Sequence, residues 1–134
     1  GDGILATFGC PIPKEHDAAN AVVAACAIHK HMASINRLRE IAGKVPYGFG
    51  IGIATGKIFA GNIGSERMIK YAVMGDAVNT AARIQDLTKG LPYAIIIDEP
   101  TRAAGNPTCS LEELTTTQLR GKNEPVQLFG VLKV

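Results

Sequence analysis

Residues 47–55 read YGFGIGIAT, and their strict alternation is the first guide to the fold. Tyr47, Phe49, Ile51 and Ile53 fall on one face of an extended segment, while Gly48, Gly50, Gly52 and Ala54 fall on the other. Glycine weakens a strand, so a face stripped of side chains implies that something lies close to it. That neighbour is either a tightly packed helix or other backbone, or a ligand. Gly56-Lys57 is expected to turn the chain back into Ile58–Ala60 as a hairpin, with Gly61–Arg67 (GNIGSER) as a loop.

Upstream, Ile4–Gly9 (ILATFG) is a short apolar run ended by Gly9 and Pro11, which reads as a buried strand. Residues 10–16 form a turn-rich connector. A long amphipathic helix is expected from near Asp17, whose carboxylate is placed to cap the first turn, to a stop at Gly43. Its apolar positions, Ala18, Ala21, Ala25, Ile28, Met32, Ile35, Leu38 and Ala42, recur every three or four residues. Downstream, Lys70–Met74 reads as a strand and Asp76 to about Thr88 as a helix. Tyr93–Ile97 reads as a β-branched strand, and Asp98-Glu99-Pro100-Thr101 as a helix start. Glu112–Leu119 and Pro125–Leu132 are the last strand candidates, joined by the polar turn 120–124. The order is α+β with a mainly antiparallel sheet and packed helices, in one domain over residues 1–134.

The apolar fraction of 46% suits a globular chain, and the longest apolar runs, Ala21–Ile28 and Ala94–Ile97, fall short of a bilayer span. No basic-apolar-small leader is visible, and Gly1 opens on what reads as the middle of a folded unit. A net charge of +2, spread along the chain, gives no basic stripe for nucleic acid. An RNA-binding sheet needs exposed aromatics, and no RNA-binding signature string is present. Cys10, Cys26 and Cys109 are odd in number and lack a CxxC, so neither a zinc site nor a disulfide framework is expected, and a reducing cytoplasm fits. His29 and His31, two apart on a helix, diverge and make a poor metal pair. GNIGSER lacks the Gly-Lys-Ser/Thr of a phosphate loop.

Two segments carry chemistry. Gly1-Asp2-Gly3 places a carboxylate on a tight turn, a pattern that serves turn formation as readily as ligation. In Gly75–Arg83 (GDAVNTAAR), Asp76, Asn79 and Arg83 are spaced three and four apart and share a helix face, with Val78, Ala81 and Ala82 turned towards the core. An amide and a guanidinium projected together near a helix start suit an anionic ligand, although a solvated polar face has the same pattern.

Taken in order, GDGILATFG at 1–9, GIGIATGKIFAGNIGSER at 50–67, YAVMGDAVNTAARIQDLTK at 71–89 and the closing LRGKNEPVQLFGV at 119–131 resemble the class III adenylate/guanylate cyclase family. The resemblance implies a ferredoxin-like catalytic core that pairs head-to-tail with a second copy, with nucleotide sites at the homodimer interface. It implies conversion of ATP, or GTP, to the 3′,5′-cyclic monophosphate and pyrophosphate with two Mg²⁺ or Mn²⁺ ions, for cyclic-nucleotide signalling. Asp2 matches a metal-binding aspartate, Asn79 the asparagine that orients the ribose, and Arg83 the arginine that stabilises charge on the α-phosphate. Arg120, or Lys122 close by, falls where the family places a basic residue on the terminal phosphates, although a solvated turn accounts for either; Asp76 is assigned a structural capping role.

The departures are equally specific. The family's other metal aspartate, in a phenylalanine-aspartate-isoleucine context, is not in the sequence, so the first strand and helix of the fold are read as lacking. The partner of the adenine-reading lysine corresponds to Ala72, which has no side-chain hydrogen bond to offer. An arginine of some relatives corresponds to Gly50. The expectation is an adenylate cyclase domain, inactive as an isolated chain and marginally folded unless it dimerises, within a longer protein carrying a sensor and a possible membrane tether. The alternatives are a guanylate cyclase or a non-catalytic, cyclase-like regulatory domain.

Overall fold

The computed structural model describes residues 1–114, 119 and 123–132. In chain order they form α1 (Asp17–Ile41), β1 (Ile51–Ile53), β2 (Phe59–Ser65), β3 (Met68–Met74), α2 (Asp76–Leu87), β4 (Ile95–Asp98), α3 (Glu99–Gly105), β5 (Leu111–Glu113) and β6 (Leu128–Val131). The main sheet has the order β1-β4-β6-β5, and β2 and β3 make a separate two-stranded sheet. Only β1 and β4 run parallel; the other pairs are antiparallel, in keeping with the expected α+β class.

β4 is buried along its whole length because helices cover both sheet faces. Ile95 and Ile97 point towards α1 and pack with Val22, Ala25 and Val131; Ile96 points the other way and packs with Ile84 of α2, Leu119 and Leu128. The glycine face of β1 has a definite occupant. A Cβ on Gly52 would lie 2.4 Å from both the Ala81 carbonyl oxygen and the Gln85 nitrogen, so the backbone of α2 rests directly on the strand. Of the two neighbours the alternation allowed, the packed helix is the one present.

Several expectations are corrected. Residues 4–9 form no strand: Ile4 is 98% exposed, and no described strand lies beside the run to complete its hydrogen bonds. The alternating segment joins the sheet only at 51–53, because the backbone of Tyr47 is held by the Asn36 side chain, which accepts from its N–H at 2.7 Å and donates to its carbonyl at 2.9 Å. No hairpin forms at Gly56-Lys57, since β1 pairs with β4; instead GNIGSER supplies β2, and the chain reverses at Glu66-Arg67 with Ser65 opposite Met68. β5 ends at Glu113.

α1 begins and ends near the expected residues. Asp17 does not cap it: its carboxylate accepts backwards from the Lys14 N–H at 2.7 Å, and His16 holds the N-cap position. At the other end Gly43, at φ +72°, closes the helix, with Lys44 N–H on the Arg39 carbonyl and Gly43 N–H on that of Glu40. The buried stripe is Val22 and Ala25, flanked by half-buried Ala18, Cys26, His29 and Met32, whereas Ile28, Ile35 and Leu38 of the expected stripe are exposed.

Candidate functional site

α2 carries the candidate chemistry, and its placement follows from glycines. Gly75, at φ +144°, precedes the helix, and a Cβ there would meet the Lys57 carbonyl oxygen at 2.7 Å. The first turn is thereby set against the connection between β1 and β2. Asp76 opens the helix as a first-turn acid, favourable beside the positive end of the helix dipole, but no side chain caps the helix. The face turned inward is Thr80 and Ile84, with Ala81 against Gly52; the inward positions expected at Val78 and Ala82 are half-buried and exposed, respectively.

Asn79 and Arg83 sit one turn apart on the adjoining face, Asn79 exposed and Arg83 half-buried. Neither makes a hydrogen bond or ion pair with another described residue. A half-buried guanidinium without a partner has all five N–H donors available to an anion. Asp2 lies elsewhere. It is exposed in an irregular segment, and its charge is felt at Lys89, two residues beyond the end of α2. Ala72 lies at the middle of β3 opposite Gly61, offering only a methyl group. Arg120 and Lys122 lie outside the described residues.

The residues present fit a divalent metal only in part. Among the described residues no three His, Cys, Asp or Glu side chains gather to hold an ion. A lone exposed carboxylate suits Mg²⁺ or Mn²⁺ when phosphate oxygens and water complete the shell.

A cavity of about 230 Å³ opens on the inner side of the α2 start, lined in part by Thr55, Lys57, Asp76, Thr80, Asp98 and Val126. Asn79 and Arg83 do not line it. Asp98 is buried and accepts from the Thr101 N–H at 3.0 Å, the Thr101 hydroxyl at 2.6 Å and the Thr55 N–H at 3.4 Å. Burial pushes its carboxyl above the ordinary value of 3.8, against the downward pull of those hydrogen bonds. Thr80 is also buried, and its hydroxyl has no partner among the described residues. Neither Thr80 nor the buried setting of Asp98 was legible beforehand, because their partners and neighbours lie on other elements.

The comparisons with known proteins place the fold in a known family. Residues 1–131 match the family described as the adenylate and guanylate cyclase catalytic domain. An uncharacterised protein of Mycobacterium tuberculosis is 37% identical over 132 residues, which are 96% of this chain and 22% of that protein. Adenylate cyclase 1 of Rhizobium meliloti is 23% identical over 134 residues, 100% of this chain and 20% of its own length. The chain thus spans about a fifth of these relatives. Among solved structures, the guanylyl cyclase Cya2 superposes with a TM-score of 0.82 at 32% identity, covering 95% of this chain and 64% of that one. The adenylyl cyclase CyaB from P. aeruginosa gives 0.82 at 26% identity, covering 95% and 65%. With matching fold, motif order and family assignment, this chain belongs to the class III adenylate/guanylate cyclase catalytic domain family.

Proposed function

We propose that the chain is one half of a nucleotide cyclase that converts ATP to 3′,5′-cyclic AMP and pyrophosphate at an interface between two copies. The observation that carries this is the outer face of α2, where Asn79 and Arg83 stand ready and unpartnered on a helix fixed by its own backbone. In the reaction the ribose 3′-oxygen bonds to the α-phosphorus, its proton is lost, and the bond to pyrophosphate breaks. The Asn79 amide orients the ribose so that the 3′-oxygen lies in line. The Arg83 fork stays charged and gathers the negative charge that builds on the α-phosphate in the transition state.

Asp2 would hold a divalent ion, Mg²⁺ or Mn²⁺, whose chemistry is to neutralise phosphate charge and acidify the hydroxyl. A second copy supplies the complementary half of each site, as the family resemblance implies. Arg120 or Lys122 would meet the terminal phosphates. With Asp2 as its sole assigned metal carboxylate, the 134-residue chain alone is expected to turn over no nucleotide. The setting is taken to be the cytoplasm, under control of a sensor elsewhere in the protein; no described helix is long and apolar enough to cross a membrane.

A second reading, GTP as substrate, is favoured by the likeness to the guanylyl cyclase Cya2, while Ala72, which cannot hydrogen-bond a base through its side chain, leaves the base open. The incomplete metal set favours a third, a regulatory domain without turnover. The deciding assay incubates the full-length protein with Mn²⁺ and ATP or GTP side by side, and Arg83→Ala as control. Cyclic AMP that falls at least about 10²-fold in Arg83→Ala is the expected result. Cyclic GMP alone would select the second reading; no product from a folded dimer would select the regulatory one.

A further inference from the structure

We propose that Gly52 is a positioning residue for the reaction: the absence of a side chain there sets how deeply α2 sits, and so where Asn79 and Arg83 reach. This rests on the reading of those two residues as the groups that meet the nucleotide.

The contact between β1 and α2 is unusual in kind. A Cβ on Gly52 would lie 2.4 Å from the Ala81 oxygen, 2.4 Å from the Gln85 nitrogen and 2.9 Å from the Gln85 Cα. All three are backbone atoms, so no side chain can swing away to make room. Ala81 lies midway between Asn79 and Arg83 in the sequence, and Gln85 follows Arg83 by two. The contact therefore bears directly under the segment that carries both groups.

Restoring ordinary contact, at about 3.4 Å, requires α2 to move outward by about 1 Å. A displacement of that size is comparable to the tolerance of an in-line reaction, where about 1 Å can cost about 10²-fold in rate.

The helix start is fixed in the same manner. Gly75 closes on the Lys57 carbonyl, and a Cβ on Gly56 would meet the Ala77 Cβ at 3.1 Å. That last contact is tighter than ordinary packing by a few tenths of an ångström, which makes it a gentler lever on the same helix.

The test uses the full-length protein with Mn²⁺ and both nucleotides. Gly52→Ala is expected to lower kcat by about 10²-fold while KM moves less than about threefold. In the Arg83→Ala background the same change is expected to cost clearly less than in wild type, because one of the two groups it displaces is already gone. Gly48→Ala, on the same run with nothing within 4 Å of its Cβ, should keep wild-type turnover.

Gly56→Ala is expected to lower kcat by about three- to tenfold, with recovery when Ala77→Gly removes the opposing methyl; this pair decides the matter if Gly52→Ala does not melt cooperatively. Losses that multiply in full between Gly52→Ala and Arg83→Ala would mark a general loss of structure and overturn the inference. So would unchanged kcat in Gly52→Ala, or in Gly56→Ala, while Arg83→Ala abolishes product. A wild-type protein that makes no cyclic product overturns the proposed function, and this inference with it.

Discussion

Asp98 closes β4 and starts α3 with the same carboxylate, accepting from the Thr101 N–H and hydroxyl and, across the fold, from the Thr55 N–H. Asp98→Ala removes the helix cap and strands buried donors, so it is expected to cost about 1–3 kcal/mol in denaturant unfolding. Asp98→Asn keeps an acceptor and removes the charge, which separates the two effects. Since burial raises the folded-state value above 3.8, the folded protein binds this proton more tightly than the unfolded one. The contribution is fully present below 3.8 and fades as pH rises through the raised value, so wild type should lose stability relative to Asp98→Asn across that window. A flat difference between the two, followed upward from about pH 3.8, would refute the assignment. Cys109 is a second residue with a readable environment: burial pushes its thiol up, and the neighbouring Cys26 adds to the effect. Alkylation of Cys109 by iodoacetamide at pH 8 should therefore be slow, and Cys26→Ala should quicken it. The cap at Asp98 was legible because Asp-Glu-Pro-Thr is local chemistry. Thr55, 43 residues away, and the Cys26–Cys109 contact were not, because only the fold brings them together.

At the scale of elements, the sequence disclosed what depends on neighbours in the chain and concealed what depends on neighbours in space. α1 has the expected ends because Gly43 and its carbonyl partners lie within six residues. Its buried stripe was misplaced because alanines flank both candidate faces, and periodicity alone does not say which face meets the sheet. Val22, 2% exposed, packs against Ile95 and Ile97, whereas Leu38 is 67% exposed. The hairpin was missed for a different reason. GNIGSER has the glycines and polar residues of a loop, yet a strand paired on one side and open on the other needs no apolar alternation. The glycine face of β1, by contrast, announced a close neighbour correctly, since missing side chains are a statement about space. These assignments set unequal costs for equal-looking changes. Ile84→Ala, at a fully buried site beneath Ile96 and Leu128, should cost about 2–5 kcal/mol, while Leu38→Ala should stay within about 0.5 kcal/mol. Equal losses in the two variants would show that α1 or α2 is turned otherwise.

For the whole molecule, the question is what covers the apolar surface that the fold leaves in water. β2 and β3 pair with each other, and the register aligns Phe59 with Met74, and Ser65 with Met68, on the face that also carries Ile63 and Ala72. Phe59, Met68, Met74 and Ile63 on that face are all exposed, as are Ile4, Leu5 and Phe8 near the start of the chain. Lys70, opposite Ile63, is the one charge on that face; exposed apolar side chains in such number point to an interface, and the unpaired outer edges of a two-stranded sheet reinforce the point. A second copy is the occupant that the proposed function requires, because that function sets the nucleotide site at an interface between two copies. Association that covers the hairpin then contributes to the stability of each copy, and mass action makes that contribution depend on concentration. The melting temperature of this chain should therefore rise with protein concentration over a hundredfold range, in step with the dimer fraction measured by sedimentation. Phe59→Ser with Ile63→Ser should abolish both the dependence and the dimer, and in the full-length protein it should remove cyclic nucleotide formation without touching Asn79 or Arg83. A monomer that melts cooperatively at one temperature, whatever its concentration, would sever the hairpin from assembly and count against a nucleotide site shared between two copies.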